Sequence, residues 1–133
     1  MGGATRYNAT MNPHLRRHFE LELRAFREAE AREEMTAAWR LLERAHILSQ
    51  AHAWPHLRVH GAMFAFAWRR RDMREWLGQW PRLLLAAPGS WLGRAPRGNT
   101  GGAHVGLFTP MPIPEDLQEW LREAEANPSR PPR

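Results

Sequence analysis

The sequence predicts an all-α bundle, and three observations carry that prediction. Apolar residues recur every three or four positions through most of residues 13–87, and no run alternates with period two for long enough to build a sheet. Helix-starting residues stand where the periodic segments begin: Asn12-Pro13, Pro55, Asp72 and Pro114. The 133 residues, 43% of them hydrophobic and 25% charged, make one domain with a core of its own. The expectation is a small helical bundle of four to five helices in antiparallel hairpins, with a Gly/Pro-rich irregular arm.

Each element follows in order. Residues 1–12 are small, polar and unpatterned, and read as a disordered N-terminal segment. A first helix spans 13–34, with Asn12 as N-cap and Leu15, Phe19, Leu23 and Phe26 on one face. A second spans 35–51, with Ala38, Leu41, Leu42, Ala45 and Leu48 as its stripe. No glycine or proline marks the turn between them. A third spans 54–70, and its wide apolar face (Leu57, Val59, Met63, Phe64, Phe66, Ala67 and Trp68) predicts deep burial. Asp72 caps a fourth helix over 73–87, with Trp76, Leu77, Trp80, Leu83 and Leu84 as its stripe; Pro81 should kink or split it. Residues 88–114 are rich in glycine and proline but hold Trp91, Leu92, Val105, Leu107 and Phe108, so they read as an ordered irregular arm. A last helix spans 115–126, with Glu115 and Asp116 favourably placed in its first turn. The domain is thus 13–126, followed by a disordered tail, 127–133.

Composition excludes several classes of function. There is no cysteine, so disulfides, thiolate catalysis and Cys-based metal sites are out. No run of about 18 apolar residues occurs and no apolar leader is visible, so the expectation is a cytoplasmic protein with no membrane span. All 19 basic residues are arginine. Residues 40–82 hold eight of them against Glu43, Asp72 and Glu75, which accounts for the whole net charge of +5. A helix face laced with ion pairs explains this better than nucleic-acid binding, for which no recognition motif is present. Seven tryptophans favour a homo-oligomer, because large aromatic surfaces concentrate at interfaces.

Seven histidines carry the functional argument. Glu43 and His46 form Glu-x-x-His, one turn apart on one helix face, as in carboxylate-bridged metal bundles. His56 and His60 are an i, i+4 pair, aligned with Met63 and Ala67 on the most apolar helix, and can chelate one divalent ion. Glu22 falls on the apolar side of the first helix, whereas Glu20 and Glu28 point away. Helix geometry puts Glu43 and His46 opposite the Leu41/Ala45/Leu48 stripe, a position equally compatible with exposure. His14 and His18 flank a helix start; His52 sits in a turn; His104 lies in the arm. Gly98-Asn-Thr-Gly-Gly102 reads as a tight turn, since it lacks the lysine and preceding strand of a phosphate loop. A buried imidazole pair needs partners, and either a metal or a Glu–His hydrogen-bond network would supply them.

LLERAHILSQ (41–50), His56-x-x-x-His60, Gly98-Asn-Thr-Gly and Pro110-Met-Pro-Ile-Pro114 together resemble a family of short bacterial proteins of unknown function. The likeness spans roughly residues 12 to 117 and includes Phe19 to Leu23. It implies a helical, cytoplasmic bacterial protein and no particular activity. The family pattern has Asn near His104, which weakens that histidine as a site residue.

Two readings follow. In one, the first three helices converge Glu22, Glu43, His46, His56 and His60 on a divalent ion. That donor set suits Fe, Mn or Zn; Cu is less expected, since without cysteine nothing soft except Met63 would favour Cu(I). An open coordination position would then permit water activation. In the other, AAWRLLERAHILSQ (37–50) is part of a tetratricopeptide-like hairpin. The chain is then a protein-interaction module, with Arg69–Arg71 and exposed tryptophans as its contact surface and a merely structural Glu/His network.

Overall fold

The computed structural model describes residues 11–91 and 111–127. Among these described residues there are five helices: α1 (Pro13–Ala31), α2 (Met35–Ser49), α3 (Ala53–Arg69), α4 (Met73–Trp91) and α5 (Glu115–Ala126). No strand occurs among the described residues, and none of their helices is long and apolar enough to cross a membrane. The all-α bundle is as expected.

α1 begins where the sequence places it. The Asn12 side chain accepts hydrogen bonds from the backbone N–H groups of His14 and Leu15, and Pro13 occupies the first turn, where no donor is needed. Met11 and Asn12, expected in the disordered segment, are both placed: Met11 is buried in the core, and Asn12 Nδ2 also donates to the Asn127 carbonyl beyond α5. Residues 1–10 and 128–133 lie outside the described residues.

The unmarked turn between α1 and α2 has a specific solution. Glu33 takes up φ 60°, and two backbone bonds close the helix end, Glu34 N to Ala29 O and Glu33 N to Glu30 O. This Schellman pattern normally uses glycine at the left-handed position. The turn from α3 to α4 repeats it, with Arg71 at φ 59°, Asp72 N bonded to Ala67 O and Arg71 N to Trp68 O.

Three-residue connections leave α1, α2 and α3 successively antiparallel. The ion pairs fit that arrangement: Glu20 meets Arg58 and Glu30 meets Arg69, so α1 and α3 run in the same direction. α2 is the central helix, packed against α1, α3 and α5. Its residues 45–50 are therefore buried all the way round, including the face that helix geometry left open to solvent. Phe19, Leu42, Leu48, Met63 and Phe66 fill the core, and Leu117 plugs it from α5. At least three of the eight arginines in the basic middle of the chain are ion-paired to other helices: Arg58 and Arg69 as above, and Arg44, which binds Glu22 of α1 and Asp116 of α5 at once.

α4 departs from expectation in three ways. It is one continuous helix through Pro81, rather than split there, and Arg82 Nη1 gives the Gly78 carbonyl in the preceding turn an extra donor. It runs on to Trp91, so residues 88–91 are helical and the irregular stretch starts later; 92–110, with most of the expected arm, lie outside the described residues. Of its expected apolar stripe Leu77, Trp80 and Leu84 are exposed, Trp76 is half-buried and the side chain of Leu83 lies outside the described ones, whereas Gln79 and Arg82 are buried. The physical reason is what α4 packs against. The facing surface of the bundle carries His60, whose buried Nδ1 needs the polar partner that Gln79 supplies.

Candidate metal centre

His46 arrives from the last turn of α2, and His56 and His60 from the first two turns of α3. The turn between these helices is tight: His52 N bonds the Ser49 carbonyl, and the His52 carbonyl accepts from His56 N as α3 begins. An antiparallel hairpin this short puts His46 level with the i, i+4 pair. All three imidazoles are buried, at 3, 6 and 2% exposure for His46, His56 and His60.

Their Nε2 atoms form a nearly equilateral triangle. His46 to His60 is 2.9 Å, His46 to His56 is 3.0 Å, and His56 to His60 is 3.1 Å. Hydrogen bonding alone does not satisfy such a triangle. An imidazole nitrogen carries one in-plane lobe, holding either a proton or a lone pair. Three contacts among three such nitrogens force at least one to be proton against proton or lone pair against lone pair.

One of the three protonation states follows from the neighbours. His60 Nδ1 lies 2.8 Å from Gln79 Oε1, and Gln79 Nε2 donates to Glu75 Oε1 at 2.8 Å. The Glu75 carboxylate accepts, so the Gln79 amide must present its oxygen to His60, and His60 Nδ1 must carry the proton. Burial pushes His60 down to about 4. The Gln79 hydrogen bond opposes this shift and the nearby Arg82 guanidinium adds to it. At neutral pH His60 therefore holds its single proton on Nδ1 and aims an Nε2 lone pair into the triangle.

The carboxylates expected in the site stand apart from it. The ligand atoms of His46, His56 and His60 lie within 4.8 Å of one another, and no Asp or Glu joins that group among the described residues. Glu22 is buried as its helix face predicts, but its Oε1 accepts two hydrogen bonds from Arg44, at 2.8 and 3.0 Å. Glu43 is half-buried and also outside the group. His14 lies 2.9 Å from Glu123 and His18 stacks on Trp120, so both serve the α1–α5 contact. His104 lies outside the described residues.

Gln79, Glu75 and Arg82 were not singled out from the sequence. The signal was present in their spacing: positions 75, 79 and 82 recur at i, i+4 and i+7 along one face of α4. The tryptophans and leucines of the opposite face masked it.

Two comparisons found nothing: no curated protein and no solved structure matches the chain. Residues 13–121 match the profile of a family described as a protein of unknown function (DUF3703), a span that contains every residue of the triangle and its relay.

Proposed function

The chain belongs to the DUF3703 family, whose function is unknown, and we propose that it is a small metal-binding protein whose ligands are His46, His56 and His60. The observation that carries this reading is the Nε2 triangle, which protons alone leave frustrated and a single cation satisfies completely. Metal–nitrogen bonds of about 2.0–2.1 Å at right angles place ligand nitrogens about 2.9 Å apart, and tetrahedral angles about 3.4 Å. The triangle lies at the first value, as on one face of an octahedron. The Glu75–Gln79–His60 relay supports the reading further, because metal-bound imidazoles commonly donate their other N–H to a fixed acceptor.

The donor set in this proposal is all imidazole, without Glu22 or Glu43. That favours Zn(II), Fe(II) or Cu(II) over Mn(II), which prefers carboxylate oxygen. A purely structural histidine network is the rival, and the odd number of contacts weighs against it. The self-association expected from the tryptophan content has a candidate surface in Trp68, Leu77, Trp80 and Leu84, all exposed.

Elemental analysis of untagged protein tests the metal reading directly, with one ion per chain expected. His60→Ala should abolish binding, and EDTA should lower the melting temperature of wild type but not of the variant. Wild-type protein that stays metal-free and melts identically with and without Zn(II), Fe(II), Cu(II) or EDTA would end the proposal.

A further inference from the structure

The α3–α4 hairpin carries a second surface, on the side away from the imidazoles. On α3, Trp54, Gly61 and Trp68 recur every seven residues and so fall on one line along the helix. Beside them on α4 run Met73, Leu77, Trp80 and Leu84, spaced four, three and four residues apart. Ring contacts join the two lines: Phe64 meets Trp76 and Trp80 with centroids 5.3 and 5.1 Å apart, and Trp68 meets Trp76 at 5.2 Å. The outer side of this layer is open. Trp54, Trp68 and Trp80 are 73, 57 and 44% exposed, and Met73, Leu77 and Leu84 are 49, 58 and 70% exposed. At about 200 Å² for a tryptophan and about 100 Å² for a leucine or methionine, these six expose roughly 500 Å² of apolar surface. A standard interface covers about 800 Å² per partner, and about 65% of that is apolar in homodimers, so one such face supplies what a dimer needs.

The face is also symmetric about its own middle. Gly61 stands halfway between Trp54 and Trp68. Trp80 lies level with Gly61, because the hairpin sets His60 against Gln79 and Phe64 against Trp76 and Trp80. Leu77 and Leu84 flank Trp80 on either side. A copy turned by half a revolution about an axis crossing the helices at this level meets like with like: Trp54 opposes Trp68, Gly61 opposes Gly61, Trp80 opposes Trp80 and Leu77 opposes Leu84. Gly61 fits that role and no other on the page. Glycine weakens a helix interior, and a Cβ at this position would meet nothing within 4 Å, so the single chain does not require it. Close approach of a second helix does. Charge favours a second copy over an anionic surface. Arg58 and Arg69, along the α1 side of the face, are already paired with Glu20 and Glu30. Arg70, Arg71 and Arg74 stand exposed at the turn end of the hairpin, where a parallel arrangement would crowd two such sets together and an antiparallel one keeps them apart. We propose that the chain forms a two-fold dimer in which α3–α4 hairpins pack face to face and antiparallel, with Gly61 and Trp80 on the axis. The inference is independent of metal binding.

Light scattering on the full-length chain should give twice its 15.4 kDa mass at about 100 μM. Gly61→Glu has room within one chain and should raise the dissociation constant at least about thirtyfold with helix content unchanged. The chain has no cysteine, so single cysteines report the arrangement: under mild oxidation Gly61→Cys should link two copies, whereas Arg71→Cys, at the far end of the hairpin, should not. The wild-type mass and the cysteine pair decide the matter even where Gly61→Glu does not fold. Wild-type protein that stays monomeric at this concentration overturns the inference. So does a dimer that survives Gly61→Glu, or one that links through Arg71→Cys and not through Gly61→Cys. A monomer that cosediments with phosphatidylglycerol vesicles overturns it in favour of a lipid occupant.

Discussion

His60 Nδ1 donates to Gln79 Oε1 across the α3–α4 interface at 2.8 Å, and this contact determines which nitrogen of His60 faces His46 and His56. Without it, the two tautomers of His60 would compete, and one of them would put a proton where a ligand lone pair is needed. Gln79 is fully buried, and Glu75 holds its amide orientation from one turn away.

Gln79→Ala should therefore weaken metal binding about 10- to 100-fold, the usual effect of losing a partner behind a ligand. Competition against a calibrated chelator measures it. Nitrogen-15 spectra of the imidazoles supply the readout that a mere packing defect would not move: the single Nδ1-protonated form of His60 should become a mixture of tautomers. Unchanged affinity with an unchanged spectrum would remove Gln79 from the site.

Glu22 and Arg44 test the ligand set from the other side. Glu22→Gln should leave metal stoichiometry unchanged, since its carboxylate is spent on Arg44. Arg44→Met should destabilise the fold by about 3 kcal/mol, because a mostly buried carboxylate then loses its partner. The double variant should recover much of that loss. Denaturant titrations of the three variants give the numbers, and metal loss in Glu22→Gln would return that carboxylate to the site.

How much of this was legible in the sequence depends on what each residue needed. Helix starts were readable because caps and prolines act locally: Asn12 and Pro13 do the same work in any fold. His56 and His60 were readable because i, i+4 spacing on an apolar face survives without knowledge of neighbours. His46 was ambiguous for a tertiary reason. A helix with neighbours on several sides buries faces that its own periodicity leaves polar, and α2 is such a helix. Glu22 was correctly placed inside but given the wrong company, because burial can be read from a helical wheel and an ion-pair partner 22 residues away cannot. α4 misled most. Its tryptophans suggested a core face, but Gln79 and Arg82 are the buried residues, and Gln79 is bonded to the His60 imidazole of another helix.

The two turns that lack glycine offer a stability test. Glu33 and Arg71 sit at φ 60° and 59°, each at the left-handed position of a helix-ending motif. A side chain there costs about 1 kcal/mol that glycine avoids. Glu33→Gly and Arg71→Gly should each stabilise the protein by about 0.5–1 kcal/mol, seen as a higher melting temperature with metal affinity unchanged. Destabilisation by either would mean that the turn is not left-handed in solution.

Acid should act on the metal-free protein through His60. Burial lowers this imidazole to about 4 in the folded chain, against 6.5 when unfolded. Between those values the unfolded chain binds a proton that the folded chain refuses, so stability falls as pH falls. His60's contribution is fully present above pH 6.5 and is lost progressively down to about pH 4. The largest loss from this group is about 3 kcal/mol, at 1.36 kcal/mol per pKa unit. Thermal melts of EDTA-treated protein from pH 7.5 to 4.5 should therefore slope downward on acidification. His60→Gln removes the titrating group but keeps a polar side chain, so its melting temperature should start lower at pH 7.5 and fall less steeply. With metal bound, the decline should steepen, because protons then compete with the ion for the same nitrogen. Parallel slopes for wild type and His60→Gln across this range would show that His60 titrates as an ordinary exposed imidazole.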